Sequence, residues 1–273
     1  PWEIMIELGV CSPSGFDGVE NVYIGSGDHV FYCLRRDGSE KWRYKTDELI
    51  DSSALLDDRG RVYVPSSDGF VYAFERETGE LVWKFRAETV AECRAKGVNS
   101  FVDWFEAHIS IDVDGTLLVP NDNFHTYALD RETGTEKWHF LTKDQTWSSP
   151  ALDAGKRRWF MGTNYFVLKN VFAFDARTGA TMWKAGTLGS VVASPLLTST
   201  GGRDLVVVAA FDGLVRAYQR ENGKQVWKFG ARDHFYSSPV LATDGAVVIP
   251  SADGTVYALD AADGSLRWSF DTF

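Results

Sequence analysis

Apolar and polar positions alternate along this chain in short stretches, the period-two signature of half-buried strands. Four of these stretches carry a small residue at their centre: Val71-Tyr72-Ala73-Phe74, Thr126-Tyr127-Ala128-Leu129, Val171-Phe172-Ala173-Phe174 and Val256-Tyr257-Ala258-Leu259. Cys33 and Ala217 fill the same slot in two further copies. A β-branched run precedes each, as in Val62-Tyr63-Val64, Leu117-Leu118-Val119, Val206-Val207-Val208 and Val247-Val248-Ile249. Asp68-Gly69, Asp212-Gly213 and Asp253-Gly254 then predict tight hairpin turns between the two. Earlier still lies Ser148-Ser149-Pro150 or a relative of it: Ala193-Ser194-Pro195, Ser237-Ser238-Pro239, Ser52-Ser53-Ala54 and Cys11-Ser12-Pro13.

A glycine is followed four residues later by a tryptophan six times: Gly38/Trp42, Gly79/Trp83, Gly134/Trp138, Gly179/Trp183, Gly223/Trp227 and Gly264/Trp268. Successive tryptophans lie 41, 55, 45, 44 and 41 residues apart, the length of one four-stranded antiparallel blade. Each unit reads as strand A from the Ser-Ser-Pro segment, B from the β-branched run, C around the small residue, and D beginning at the tryptophan. The fold class is therefore all-β, a β-propeller of four-stranded antiparallel blades forming a single domain over 1–273. Glycine permits the C–D turn and bares its peptide surface, so an indole from an adjacent blade can lie flat on it. All six tryptophans are expected to dock in this way. Trp2 stands 21 residues before Tyr23, as Trp42 stands 21 before Tyr63, so an extra D-type strand opens the chain. Six blades are expected, with seven as the alternative.

Hydrophobic residues at 44% and charged residues at 24% suit a globular chain with a large core, and no apolar run approaches the ~20 residues that span a bilayer. A net charge of −10 disfavours nucleic acid as a partner, because there is no cationic surplus to release counterions. The three cysteines, Cys11, Cys33 and Cys93, form no C-x-x-C pair, so neither a disulfide framework nor a zinc cage is indicated. The chain opens on Pro1 rather than Met and without a basic, apolar leader, which reads as a processed or shortened form and leaves its location open.

B–C turns and D–A connections emerge at one end of every blade, A–B and C–D turns at the other. The C–D turns are uniform, whereas the departures from the repeat fall at the opposite end: the D–A insertion 86–106, the B–C insertion 165–170, and the approaches 143–147 and 231–236. Long loops on a rigid scaffold carry function more often than the scaffold itself. Within 86–106, Thr89 to Lys96 followed by Gly97 predicts a short helix with a glycine stop, and Ser100 with Asp103 resembles the capping box of a second. The plainer reading of this insertion is a lid packing its own Trp104 and Phe105.

Strand A lines the channel of a propeller, so Asp51, Glu106, Trp147 and Tyr236 are expected to ring its mouth, with His108 one step further in, where other copies have serine. Asn164 and Asp122 join them from neighbouring turns. Carboxylates, an imidazole and aromatic faces in one concavity suit a small polar ligand or a hard cation, although serine caps and solvated charges explain the same residues more plainly. His29, His125, His139 and His234 lack metal-ligand spacing and read as turn or surface residues. There is no G-x-S-x-G elbow, no P-loop and no G-x-G-x-x-G after a strand.

The stretch from Val71 through Gly79 and Trp83 to Phe85 resembles the tryptophan-docking repeat of PQQ-like, or quinoprotein-type, propellers, and the likeness recurs six times. A WD-repeat propeller expects Asp after the tryptophan, whereas Arg43, Lys84, His139, Lys184, Lys228 and Ser269 follow here. The resemblance implies two routes. Dehydrogenases of the family hold pyrroloquinoline quinone between a tryptophan and a disulfide of adjacent cysteines, with a calcium on Glu, Asn and Asp. No two cysteines here are neighbours, so PQQ or Ca is without that support and no cofactor is expected. The non-catalytic members, such as BamB-like assembly lipoproteins and sensor propellers attached to bacterial kinases, imply an extracytoplasmic module that holds a protein partner. A binding or scaffold propeller is the leading expectation. The enzyme alternative places His108 at the mouth as a general base oriented by Glu106 or Asp51.

Overall fold

A computed structural model of the chain describes residues 15–16, 21–164 and 170–272. The expected Trp2 strand, Cys11 and most of the 165–170 insertion lie outside these residues. Among the described residues, twenty-four strands form six four-stranded antiparallel sheets, each in sequential order, so the protein is an all-β propeller whose described blades number six. The chain divides into two compact units, Pro1–Lys143 and Asp144–Phe273, with three blades each. No helix among the described residues is long and apolar enough to cross a membrane.

In the first unit the blades are β1 (Gly15–Phe16), β2 (Asn21–Gly25), β3 (Val30–Arg35) and β4 (Glu40–Lys45); β5 (Leu55–Leu56), β6 (Arg61–Pro65), β7 (Phe70–Glu75) and β8 (Leu81–Arg86); and β9 (Ser110–Ile111), β10 (Thr116–Pro120), β11 (His125–Asp130) and β12 (Glu136–Leu141). In the second they are β13 (Ala151–Asp153), β14 (Arg158–Gly162), β15 (Asn170–Asp175) and β16 (Thr181–Gly186); β17 (Leu196–Thr200), β18 (Arg203–Ala209), β19 (Leu214–Gln219) and β20 (Gln225–Gly230); and β21 (Val240–Leu241), β22 (Ala246–Pro250), β23 (Thr255–Asp260) and β24 (Leu266–Asp271).

The small residue of strand C has a definite job. It pairs directly with the tryptophan of strand D, Ala73 with Trp83 and Ala217 with Trp227 among others, and a register shift follows it in every blade. A bulge adds a residue and a local twist, and the missing bulk lets the indole leave its own sheet. Trp42 packs on Gly79 and Trp83 on Gly134 in the first unit, Trp183 on Gly223 and Trp227 on Gly264 in the second. Each of these four indole Nε1–H groups also donates to the carbonyl three residues before that glycine: Trp42 to Arg76 (3.0 Å), Trp83 to Arg131 (3.0 Å), Trp183 to Arg220 (2.9 Å) and Trp227 to Ala261 (3.0 Å). The docking turn is held by stacking and by a hydrogen bond at once.

Two of the six repeat tryptophans are less buried than these four. Trp138, which pairs with Ala128 on β12, is half-buried rather than buried, and Trp268, which pairs with Ala258 on β24, is 47% exposed. Each stands on the last strand of its unit. Trp42, Trp83, Trp183 and Trp227 thus dock as expected, each on the glycine turn of the next blade in its own unit.

Aspartates of the B–C turns bind the chain on both sides. Asp68 Oδ1 accepts from the Phe70 amide, and its Oδ2 accepts from Tyr72 Oη (2.8 Å) and from the Asp47 amide in the preceding D–A connection (3.1 Å). Asp253 repeats all three contacts, with Thr255, Tyr257 and Arg232. Apolar cores lie between neighbouring blades: Tyr23, Phe31, Trp42 and Phe74 make one, Phe160, Trp183, Val206 and Tyr218 another.

The 86–106 insertion forms the first predicted helix, α1 (Val90–Ala95), with Thr89 and Glu92 in a reciprocal capping box and Gly97 at φ +79° just past its end. The second helix does not form. Asp103 is bound instead by Arg86 Nη2 (2.7 Å), and the carbonyls of Asp103 and Trp104 accept from Asn121 Nδ2 and the Asp122 amide (2.9 Å each), which holds this stretch extended. Phe105 is fully buried against Tyr127, whereas Trp104 is exposed.

Candidate functional site

Residues 105–109 alternate even before β9 begins: Phe105, Ala107 and Ile109 enter the core, and Glu106 and His108 are half-buried on the other side. That alternation brings Glu106 to Asp122, which follows β10, and into the field of Asp51, which precedes β5. Glu106 shares a side-chain hydrogen bond with Asp122, and burial together with the charges of Asp122 and Asp51 pushes its carboxyl up to about 8. Burial also raises Asp51, whose Oδ1 is enclosed without a hydrogen-bond partner among the described residues. His108 is lowered by burial. Three of the expected residues, Asp51, Glu106 and Asp122, thus form one carboxyl cluster that holds a proton at neutral pH. A protonated Glu106 donates a hydrogen bond; it does not supply the charge that would orient an imidazole.

A pH dependence follows. Between the ordinary value of 4.5 and about 8, the unfolded chain has released the Glu106 proton and the folded chain keeps it, so stability falls as pH rises through this window. Glu106→Gln, which carries no proton to lose, is expected to match the wild-type melting temperature near pH 5 and exceed it at pH 8.5. Parallel melting curves across this range check it.

Trp147, Asn164 and Tyr236 belong to the second unit. The Asn164 amide donates to the Gln145 carbonyl (2.9 Å), which ties the approach 143–147 to the B–C turn, and its Nδ2 is buried without a partner among the described residues. Ser148 is enclosed, donating to the Ala193 carbonyl and accepting from the Gly162 amide, while the Ser149 and Ser194 amides donate to the hydroxyls of Ser194 and Ser238. The serines therefore stitch strand A starts of successive blades together. Tyr236 is 62% exposed and its ring lies 5.6 Å from that of Phe211.

Phe211 carries a signal that the repeat conceals. In the Asp-Gly turns, Ser67 and Ala252 occupy the position that Phe211 takes before Asp212. An aromatic there, beside the rings of Tyr236 and His234 (4.8 Å from Phe211), makes an aromatic patch on the loop-bearing end of the second unit, where Leu188, 81% exposed, is anchored through its amide to the neighbouring Asp212. It is held firmly. Arg216 forms a buried two-pronged pair with Asp212 (2.6 and 2.9 Å), Asp212 Oδ2 also accepts from the Leu188 amide, and the Phe211 amide donates to the Ser190 carbonyl.

His125, read from spacing as a turn or surface residue, is buried at the head of β11 near Glu88 and Cys93. Nothing in the sequence announces this, since the fold alone joins residues 32 positions apart. Cys33 and Cys93 are both buried, one in β3 and one in α1.

The profile of the family described as outer membrane protein assembly factor BamB matches residues 7–103 and 169–272. A protein of that name from Burkholderia pseudomallei is 27% identical over 97% of this chain and 66% of its own length. Tetrathionate hydrolase from Acidithiobacillus ferrooxidans is 27% identical over 77% of the chain and 46% of its own. The chain thus spans about half to two thirds of these relatives. The crystal structure of BamB from Moraxella catarrhalis superposes with a TM-score of 0.76 at 20% identity, covering 96% of this chain and 76% of that one.

Proposed function

This chain belongs to the BamB family of outer membrane protein assembly factors, and from that premise we propose that it is a non-catalytic scaffold whose loop-bearing end holds a protein partner outside the cytoplasm. The observation that carries the reading is the Phe211 and Tyr236 patch. Apolar side chains fixed on hydrogen-bonded turns lose little freedom on binding, so more of their burial appears as affinity, and aromatic anchors of this kind dominate protein interfaces. No cofactor enters this reading.

The test compares the wild-type chain with a Phe211→Ser, Tyr236→Ser variant, each tagged and recovered from its native cells. Both side chains are exposed, so folding stability should change by no more than about 0.5 kcal/mol. Partner recovery should fall at least tenfold, matching about 1.4 kcal/mol or more of lost contact. Equal recovery from both would overturn the reading.

One observation favours a second reading, an enzyme or small-ligand site: the proton-holding cluster of Asp51, Glu106 and Asp122. Calcium, quinones and small acids are the probes. A melting-temperature rise that Glu106→Ala and His108→Ala both abolish would favour it.

A further inference from the structure

We propose that Glu88, Cys93 and His125 form a binding site for a zinc-class transition-metal ion that pins the 86–106 insertion to the third blade. Their ligand atoms lie within 4.8 Å of one another. Cys93 is fully buried in α1, His125 is 4% exposed on β11, and Glu88 is half-buried one residue before the Thr89 cap. The Glu88 carboxylate is already divided. Lys96 Nζ holds Oε1 at 2.6 Å, and Oε2 faces the Cys93 sulfur at 3.9 Å. With zinc–sulfur near 2.3 Å and zinc–oxygen near 2.0 Å, that separation corresponds to an angle of about 130° at an ion between them, within a small adjustment of tetrahedral.

A supporting shell surrounds these groups, as ligand orientation requires. Asn123 is fully buried; its Nδ2 donates to the Glu88 carbonyl (2.8 Å) and Tyr127 Oη (2.7 Å), and its Oδ1 accepts from the His125 amide and lies 3.3 Å from Nδ1 of the ring. Tyr127 Oη in turn accepts from the Glu88 amide. One side chain thereby positions both the carboxylate-bearing segment and the imidazole. Sulfur, nitrogen and one oxygen select a borderline-soft ion and disfavour calcium or magnesium, which take six or more oxygens. A thiolate and a carboxylate also neutralise a divalent ion, which lowers the cost of burying the three together. The fourth position is left for water, reached from the half-exposed Glu88 side.

The test is a Co2+ titration of the purified full chain after chelation. One equivalent should produce thiolate-to-cobalt charge-transfer absorption, displaced by Zn2+. The absorption should be lost in Cys93→Ser and retained in Cys33→Ser and Cys11→Ser. Zn2+ should raise the wild-type melting temperature, and Glu88→Gln, whose side chain is partly exposed, should fold normally yet bind at least tenfold more weakly. Absence of the band in the wild type, its persistence in Cys93→Ser, or unchanged affinity in Glu88→Gln would each overturn the site.

Discussion

Replacing Trp183 with alanine is expected to destabilise the second unit by about 3–5 kcal/mol, the range for truncating a large buried aromatic. The indole is 9% exposed, belongs to the core shared with Phe160, Val206 and Tyr218, and donates to the Arg220 carbonyl at 2.9 Å. Truncation would leave a void between two blades and an unsatisfied carbonyl, and these losses reinforce one another. Trp268→Ala removes the same atoms from a site that is 47% exposed, so its cost should be less than half as large. Urea unfolding of the two variants measures the difference as a larger fall in midpoint for Trp183→Ala.

Gly223→Val should cost about as much, for two separable reasons. Gly223 has φ +72°, and a Cβ placed there would lie 2.7 Å from Cδ2 and Cε3 of Trp183. The left-handed backbone alone costs a residue with a side chain about 1–2 kcal/mol; the overlap then drives the indole off its turn and breaks its hydrogen bond. Gly245 supplies the comparison, since it has φ +80° and nothing within 4 Å of an added Cβ. Gly245→Ala should therefore report backbone strain only. In a Trp183→Ala background the penalty of Gly223→Ala should shrink to that of Gly245→Ala, because the obstructing ring is gone.

The blades were readable because each repeats local chemistry: a tight glycine turn, a small strand residue and an aromatic at fixed spacing. Thr89 and Gly97 likewise mark α1 by chemistry that acts within a few residues. What escaped depends on distant chain. Trp138 and Trp268 carry the same local motif as their four buried counterparts yet are less buried, a difference that the motif itself does not encode. The indole hydrogen bonds end on carbonyls of the next blade, and Arg86 takes the Asp103 carboxylate that a second capping box would have needed. Glu106 gains its raised pKa from burial and from the charges of residues 16 positions ahead and 55 behind, which no local pattern encodes. Likewise, His125 looks like an ordinary polar position until the insertion folds over it. Phe211 was readable in principle, as an aromatic where sister turns carry Ser67 and Ala252, but a search for what repeats passes over what differs.

Recognition through the loop-bearing end of the second unit is tested most directly by site-specific photo-crosslinking in native cells. A photoreactive residue would replace Tyr236 or Phe211 in one set, and Arg177, in the C–D turn at the other end of a blade, in a second. Discrete protein adducts from 236 and 211 with none from 177 are the predicted result. Adducts confined to 177, or none from either loop position, would contradict it.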